Sequence, residues 1–284
     1  VNFSNIPSLK DFQAKDGDVL SYRYYPATSN SDTVMIMLHG ICEDSKYLMP
    51  LAQFVSEHGL AHVYTPDLRG YGEKAVGRGD ISYIGQLEDD LVDFMEVVKQ
   101  KHASNARIIL AGHSAGGGTA LRFAASKHSK LVDHYLLLAP FVHFQAPIMK
   151  DSDATTANKG RLIWLMILNR LGIKTKNHLP VLASNKPEEK RHGSETLSLS
   201  YRLFMSRLPD NYKKALISVP DDTLVLIGSE DEVFKSEAFS PLFSKYTNAE
   251  VQVIKNIDHD GILSSEEAFN LIEDWLHKVV KVSN

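Results

Sequence analysis

The chain has 284 residues, of which 43% are hydrophobic and 23% charged, the balance of a globular protein with a sizeable core rather than a disordered chain. Lysine and arginine number 31 against 35 aspartates and glutamates, a formal net charge of −4 with no run of five like charges, which argues against nucleic acid as the main partner. The single cysteine, Cys42, excludes an internal disulfide framework and a cysteine-based metal cage.

Taken in chain order, short apolar runs alternate with helical patterns through the first 140 positions. Val19 to Tyr25 reads as a strand paired back onto Leu9 to Ala14 through the Asp16-Gly17-Asp18 turn. Val34 to Leu38 is wholly apolar and reads as a buried strand. A helix is expected from Ser45 to His58 with Leu48, Leu51, Ala52 and Val55 on one face. Ala61 to Thr65 is the next strand. Ile84, Leu87, Leu91, Phe94, Met95 and Val98 then recur at three- and four-residue steps, a strong helix signal. Arg107 to Ala111 reads as a strand, Ala115 to Ser126 as a helix, and Leu136 to Ala139 as a strand.

Positions 141 to 218 break this rhythm with polar connectors around the apolar segment Leu162 to Leu171. Its longest uninterrupted run, Leu162 to Leu168, is far short of the ~20 residues of a spanning helix. Alternation resumes with the strand Thr223 to Ile227, a short helix near Ser236 to Phe243 and the strand Val251 to Ile254. A last helix begins near Ser264, which has capping-box spacing to Glu267, and buries Ala268, Ile272, Trp275, Leu276 and Val279. Strands alternating with helices predict an α/β fold, a mostly parallel sheet covered on both faces. Residues 1–143 and 219–284 are its core, and 144–218 are an inserted helical cap.

Gly112-His113-Ser114-Ala115-Gly116 is a G-x-S-x-G pentapeptide with a strand before it and a helix after it, the setting of a nucleophile elbow. The turn is tight, so the flanking positions favour glycine. Gly117 and Gly118 extend the small residues into the helix, each at a cost of about 1 kcal/mol against alanine, for which close packing on the sheet is the expected compensation.

A serine hydroxyl needs a base to take its proton as it attacks. Of the 12 histidines, His259 stands out: it follows the strand Val251 to Ile254 by a short loop, at the sheet edge where ligands bind. Asp231, three residues after the Gly228 that ends the preceding strand, is the expected acid that orients the imidazole. Glu230 and Glu232 are its rivals, and Asp258 and Asp260 flank the histidine with less suitable local geometry. The turn His39-Gly40-Ile41-Cys42 follows another strand at the same edge, so the backbone N–H groups of Ile41 and Ala115 are the expected oxyanion donors. His39 is expected to shape that turn, and Cys42 to be a small buried residue.

His39-Gly40, the stretch Pro66-Asp67-Leu68-Arg69-Gly70-Tyr71-Gly72, the pentapeptide, Asp231 and His259 occur in this order. In this the chain resembles the α/β-hydrolases of the monoacylglycerol lipase and lysophospholipase-like branch, with serine aminopeptidase-type relatives, over residues 17 to 145 and 219 to 280. The resemblance implies a Ser114–Asp231–His259 triad, an oxyanion hole at Ile41 and Ala115, no cofactor or metal, and a cap over the site. Two positions depart from the pattern: Glu73 replaces a small polar residue, and Cys42 replaces the second glycine of the oxyanion turn. Asp67 and Arg69 are expected to fix a loop.

The expected function is hydrolysis of a carboxylic ester, monoacylglycerol-, lysophospholipid- or medium-chain acyl-ester-like. An amidase or peptidase on the same triad and a non-catalytic small-ligand binder are the alternatives. Trp164, Tyr201 and Phe204 are candidate substrate contacts in the cap. Its apolar helix is expected mainly to bury itself against the core, with a transient lipid-surface contact as the second reading. The partner is a small acyl ester or lipid-like molecule. Nothing near Val1 reads as a secretory signal, and with the lone thiol this sets a cytoplasmic expectation.

Overall fold

In the computed structural model, which describes residues 1–281, the strands β1 (Lys10–Gln13), β2 (Val19–Tyr25), β3 (Thr33–Leu38), β4 (His62–Pro66), β5 (Arg107–His113) and β6 (His134–Leu138) precede the insertion, and β10 (Leu224–Gly228) and β11 (Glu250–Ile254) follow it. They form one eight-stranded sheet in the order β1-β2-β4-β3-β5-β6-β10-β11. β2 pairs antiparallel with β1 and β4, and every pairing from β4 to β11 is parallel.

The alternation of side chains along the central strands divides the interior in two. Val34, Ile36 and Leu38 of β3, with Ile108 and Leu110 of β5, face one core, packed by Leu87, Leu91 and Phe94 of α2 (Gln86–Lys101) and Ala120 and Leu121 of α3 (Ala115–Ala124). Met35 and Met37, with Ile109 and Ala111, face the other, closed by α1 (Met49–Glu57) and α8 (Glu266–Lys281). All six residues of β3 are buried, which accounts for its unbroken apolar run. The expected helix stripes hold: Leu48, Leu51, Ala52 and Val55, and on α8 Ala268, Ile272, Trp275, Leu276 and Val279, are all buried.

Three details differ from expectation. Ser45 to Leu48 form a 3-10 turn leading into α1. β5 continues through Gly112 and His113. The cap of α8 is Ser265, whose Oγ accepts the Ala268 N–H at 3.2 Å, so the Ser264–Glu267 spacing is displaced by one residue.

The insertion between β6 and β10 holds α4 (Lys159–Arg170), α5 (Tyr201–Ser206) and α6 (Tyr212–Ser218). It also holds a separate antiparallel sheet of β7 (Thr155–Ala157), β8 (Pro180–Ser184) and β9 (Ser198–Ser200), which the helical reading of this segment lacked. β10 returns the chain to the main sheet, and α7 (Phe239–Tyr246) connects it to β11. Among the described residues, no helix is long and apolar enough to cross a membrane.

Candidate active site

β3, β5, β10 and β11 run parallel, so the residues that follow them emerge at one edge of the sheet. Ser114 follows β5 with φ 56 and ψ −120, a backbone conformation that strains any residue with a Cβ. The elbow is held at its ends: the Ser114 N–H donates to Leu138 O at 2.9 Å, and the Ser114 carbonyl accepts from the Phe141 N–H at 2.8 Å. Glycine at 112 and 116 is required by contact. A Cβ at Gly112 would strike the Gly116 carbonyl, and one at Gly116 the Leu38 carbonyl.

His259 Nδ1 lies 2.7 Å from Asp231 Oδ2. Asp231 Oδ1 accepts the N–H groups of Val233 and Phe234, both at 2.8 Å. Burial pushes the Asp231 carboxyl up, but the hydrogen bond and charge of His259 together with those two N–H groups outweigh it and hold the group below its ordinary value. Burial likewise disfavours the charged His259 ring, yet the bond and charge of Asp231, helped by Asp260 and Glu232, raise it. Of the rival carboxylates, Glu232 accepts the His259 backbone N–H at 3.0 Å, and Asp258 accepts the Gly261 N–H at 2.7 Å. Asp231 is thus the carboxylate bonded to the His259 ring.

The turn after β3 lies against the elbow: a Cβ on Gly40 would sit 3.8 Å from that of Ser114. Among the described residues, the N–H groups of Ile41 and Ala115 have no protein acceptor. His39 shapes the turn from inside. Its Nε2 accepts the Leu68 N–H at 3.1 Å, which leaves the ring proton on Nδ1 to donate to Gly40 O at 2.9 Å. Cys42 is buried, and burial pushes its thiol up to about 12. Asp67 accepts the Ser45 N–H at 2.8 Å, and Arg69 makes a two-pronged bond to Asp90, so both fix loops.

Three groups at this edge were not singled out by their pattern. Since His259 O can only accept, His113 Nε2 carries the ring proton and donates to it at 2.9 Å. His113 Nδ1 then accepts from the Tyr47 hydroxyl at 2.8 Å, whose oxygen in turn accepts the Gly40 N–H at 2.6 Å. Phe234 sets its ring edge-on to His259, with centroids 5.5 Å apart. His113 sits inside the pentapeptide, and that position was the available signal; Tyr47 and Phe234 carry none of their own.

The candidate substrate contacts separate. Phe204 is buried and neighbours Phe141 and Phe144, and Phe141 stacks on Phe234 at 5.9 Å. Tyr201 is buried in the same core. Trp164 is 45% exposed on α4, beside Ile163 and Ile167. Leu162 and Leu165 of that helix are buried and Met166 and Leu168 pack partly buried against the same core, as expected for most of its apolar side chains, while Ile163, Trp164 and Ile167 face outward.

A mostly parallel sheet bearing a serine elbow, then a carboxylate and a histidine in that chain order, defines an α/β-hydrolase. Residues 29–266 match the family described as "Serine aminopeptidase, S33", and the chain belongs to it. Its fold is similar to that of a soluble variant of monoglyceride lipase from Saccharomyces cerevisiae, at a TM-score of 0.73 and 19% identity over 97% of this chain and 96% of that one. It is also similar to the monoacylglycerol lipase of Paleococcus ferrophilus, at a TM-score of 0.66 and 17% identity over 92% and 99%. In sequence it is 25% identical over 203 residues to protein phosphatase methylesterase 1 of Debaryomyces hansenii, a match covering 70% of this chain and 45% of that protein. The chain thus spans less than half the length of that relative.

Proposed function

We propose that this protein hydrolyses carboxylic esters through Ser114, His259 and Asp231, with the N–H groups of Ile41 and Ala115 receiving the oxyanion. The observation that carries the reading is the strained serine elbow at the sheet edge that also bears the bonded Asp231–His259 pair. With its Nδ1 proton held by Asp231, the neutral His259 ring presents a bare Nε2. That atom takes the Ser114 proton as the oxygen attacks the acyl carbon, and Asp231 stabilises the resulting imidazolium. The ring then returns the proton to the departing alcohol. A water deprotonated by the same ring cleaves the acyl-enzyme, and Ser114 leaves with its proton restored.

The buried rings of Phe141, Phe204 and Phe234 favour an apolar acyl group. Monoacylglycerols, lysophospholipids and medium-chain acyl esters are the substrate classes that fit, and residues 144–218 are the cap above them. The outer face of α4 supports contact with a lipid surface. Ile163, Ile167 and Leu171 are 58%, 53% and 70% exposed. Lys159, Arg161, Arg170, Lys174 and Lys176 lie near them in sequence, and no acidic residue occurs from 154 to 187.

Labelling by a fluorophosphonate probe tests the chemistry. Labelling at Ser114 that is lost in His259→Ala supports it, and an unlabelled wild-type protein leaves the non-catalytic binder. The family description also favours a second reading, an aminopeptidase on the same groups. Turnover of a p-nitrophenyl ester against an aminoacyl anilide separates the two. Ile163→Ser with Ile167→Ser is expected to weaken binding to anionic vesicles while leaving turnover of a water-soluble ester intact.

A further inference from the structure

Arg207, in the insertion just after α5, is the largest of the fully buried side chains, at 0% exposed. A buried guanidinium is ordinarily matched by a carboxylate, because an unpaired charge is costly to remove from water. Among the described residues, this one has only neutral partners. Its Nε donates to Thr119 Oγ1 at 2.9 Å, and its Nη1 donates to the Tyr71 hydroxyl at 2.8 Å and to Gly40 O at 3.4 Å. Its Nη2 donates to His39 O. The charge is therefore aimed at two consecutive carbonyls of the turn that carries Ile41. The Gly40 carbonyl and the Ile41 N–H belong to one peptide group, so a cation on that oxygen draws electron density away from that N–H and makes it a stronger donor.

Other contacts from the insertion hold the rest of the same turn. The Thr196 N–H donates to Cys42 O at 3.2 Å, Lys186 pairs with Glu43 at 3.0 Å, and Ser194 Oγ donates to Asp44. On the core side, the Gly40 N–H is held by Tyr47 and its carbonyl by His39 Nδ1. Burial, with the charge of Arg207, pushes the His39 ring down to about 3, so it stays neutral with its single proton on that carbonyl.

On the hydrolase reading given above, the geometry assigns Arg207 as a positioning residue of the oxyanion site, orienting and polarising the Gly40–Ile41 peptide for the charge that develops in the transition state. The segment above the active site is then part of the catalytic apparatus. A purely structural role would destabilise the protein or weaken all ligands alike. A role in oxyanion stabilisation affects tetrahedral species selectively.

The test compares Arg207→Gln, Arg207→Lys and Tyr71→Phe with the wild type, each checked for folding by thermal unfolding. Three quantities are measured: kcat/KM for p-nitrophenyl butyrate, inhibition by n-butylboronic acid, which forms a tetrahedral adduct on serine, and inhibition by butyl 4-nitrophenyl ether, which has no carbonyl. Arg207→Gln is expected to lose about 10- to 100-fold in kcat/KM and a proportionate factor in boronate affinity, with ether affinity within about twofold. Arg207→Lys keeps a charge without the planar fork, and Tyr71→Phe keeps the guanidinium but removes one anchor; both are expected to fall on the same line with smaller losses. Parallel loss of boronate and ether affinity, or unchanged kcat/KM in folded Arg207→Gln, overturns the inference. If Arg207→Gln does not fold, the ratio in Tyr71→Phe decides. A wild type that neither hydrolyses the ester nor binds the boronate overturns the hydrolase reading itself, whereas an active wild type with flat ratios removes only the role of Arg207.

Discussion

His113 donates through Nε2 to the backbone carbonyl of His259, 2.9 Å away, and the two rings lie 4.7 Å apart. The residue before the elbow serine therefore holds the loop that carries the proposed base. Burial and the neighbouring His259 push the His113 ring down to about 4, so it stays neutral and its one proton stays committed to that carbonyl. Through Tyr47 the same chain of bonds reaches Gly40, so base and oxyanion turn share one support.

Removing the middle of that support should slow chemistry more than binding. Tyr47→Phe leaves the Gly40 N–H and His113 Nδ1 without their partner, and the loss of a hydrogen bond of about 0.5–1.5 kcal/mol corresponds to a roughly 2- to 10-fold lower kcat. KM for a soluble ester should change little. Steady-state kinetics on both variants, Tyr47→Phe and His113→Gln, checks this, and a rise in KM at constant kcat would count against it.

The pH profile follows from the raised His259 value. The neutral ring is the proposed base, so kcat/KM should climb with pH through an inflection above the 6.5 of an unperturbed imidazole. Asp231→Asn removes the partner that raises the ring. It should lower the rate by about 10⁴-fold and move the inflection of the residual activity downward. The stability contribution has the opposite sense. A raised histidine stabilises the fold below its unfolded value, and that contribution is lost as pH rises through the folded one. Thermal unfolding of wild type and His259→Ala across pH 5 to 9 reads this directly.

Strain at the elbow predicts a gain in stability on removing the serine. Ser114→Gly relieves the φ 56 conformation, for an expected gain of about 1–3 kcal/mol, whereas Ser114→Ala keeps the strain. Both lose the proposed nucleophile. A denaturant titration in which glycine and alanine behave alike would show that the elbow stores no strain.

The small residues of α3 make a complementary prediction. A Cβ at Gly118 would enter the space of the Arg207 and Phe141 carbonyl oxygens. Gly118→Ala should therefore destabilise the protein by about 1–3 kcal/mol, although alanine is the better helix former by about 1 kcal/mol. Thermal melts decide, since propensity and packing predict opposite signs.

Much of this arrangement is legible in the sequence where neighbours in space are also neighbours in pattern. β3 and β5 carry the apolar runs Val34 to Leu38 and Ile108 to Ala111, and the pentapeptide lies between a strand and a helix. Asp231 and His259 follow β10 and β11 by short loops. The insertion was harder to read. β7 and β9 are three residues each, too short for a two-residue period to show. α4 is apolar on its outer face as well as its inner one, so composition alone did not tell burial from exposure. Arg207 is 167 and 168 residues from the carbonyls it bonds, and no local spacing marks such a partner.

The zipper of contacts between positions 39–44 and the segment carrying Lys186, Ser194, Thr196 and Arg207 bears on any attempt to retune specificity by grafting. A chimera that took a foreign insertion but kept this loop would leave its carbonyls without their donors, and the transplant would have to include both sides of the seam.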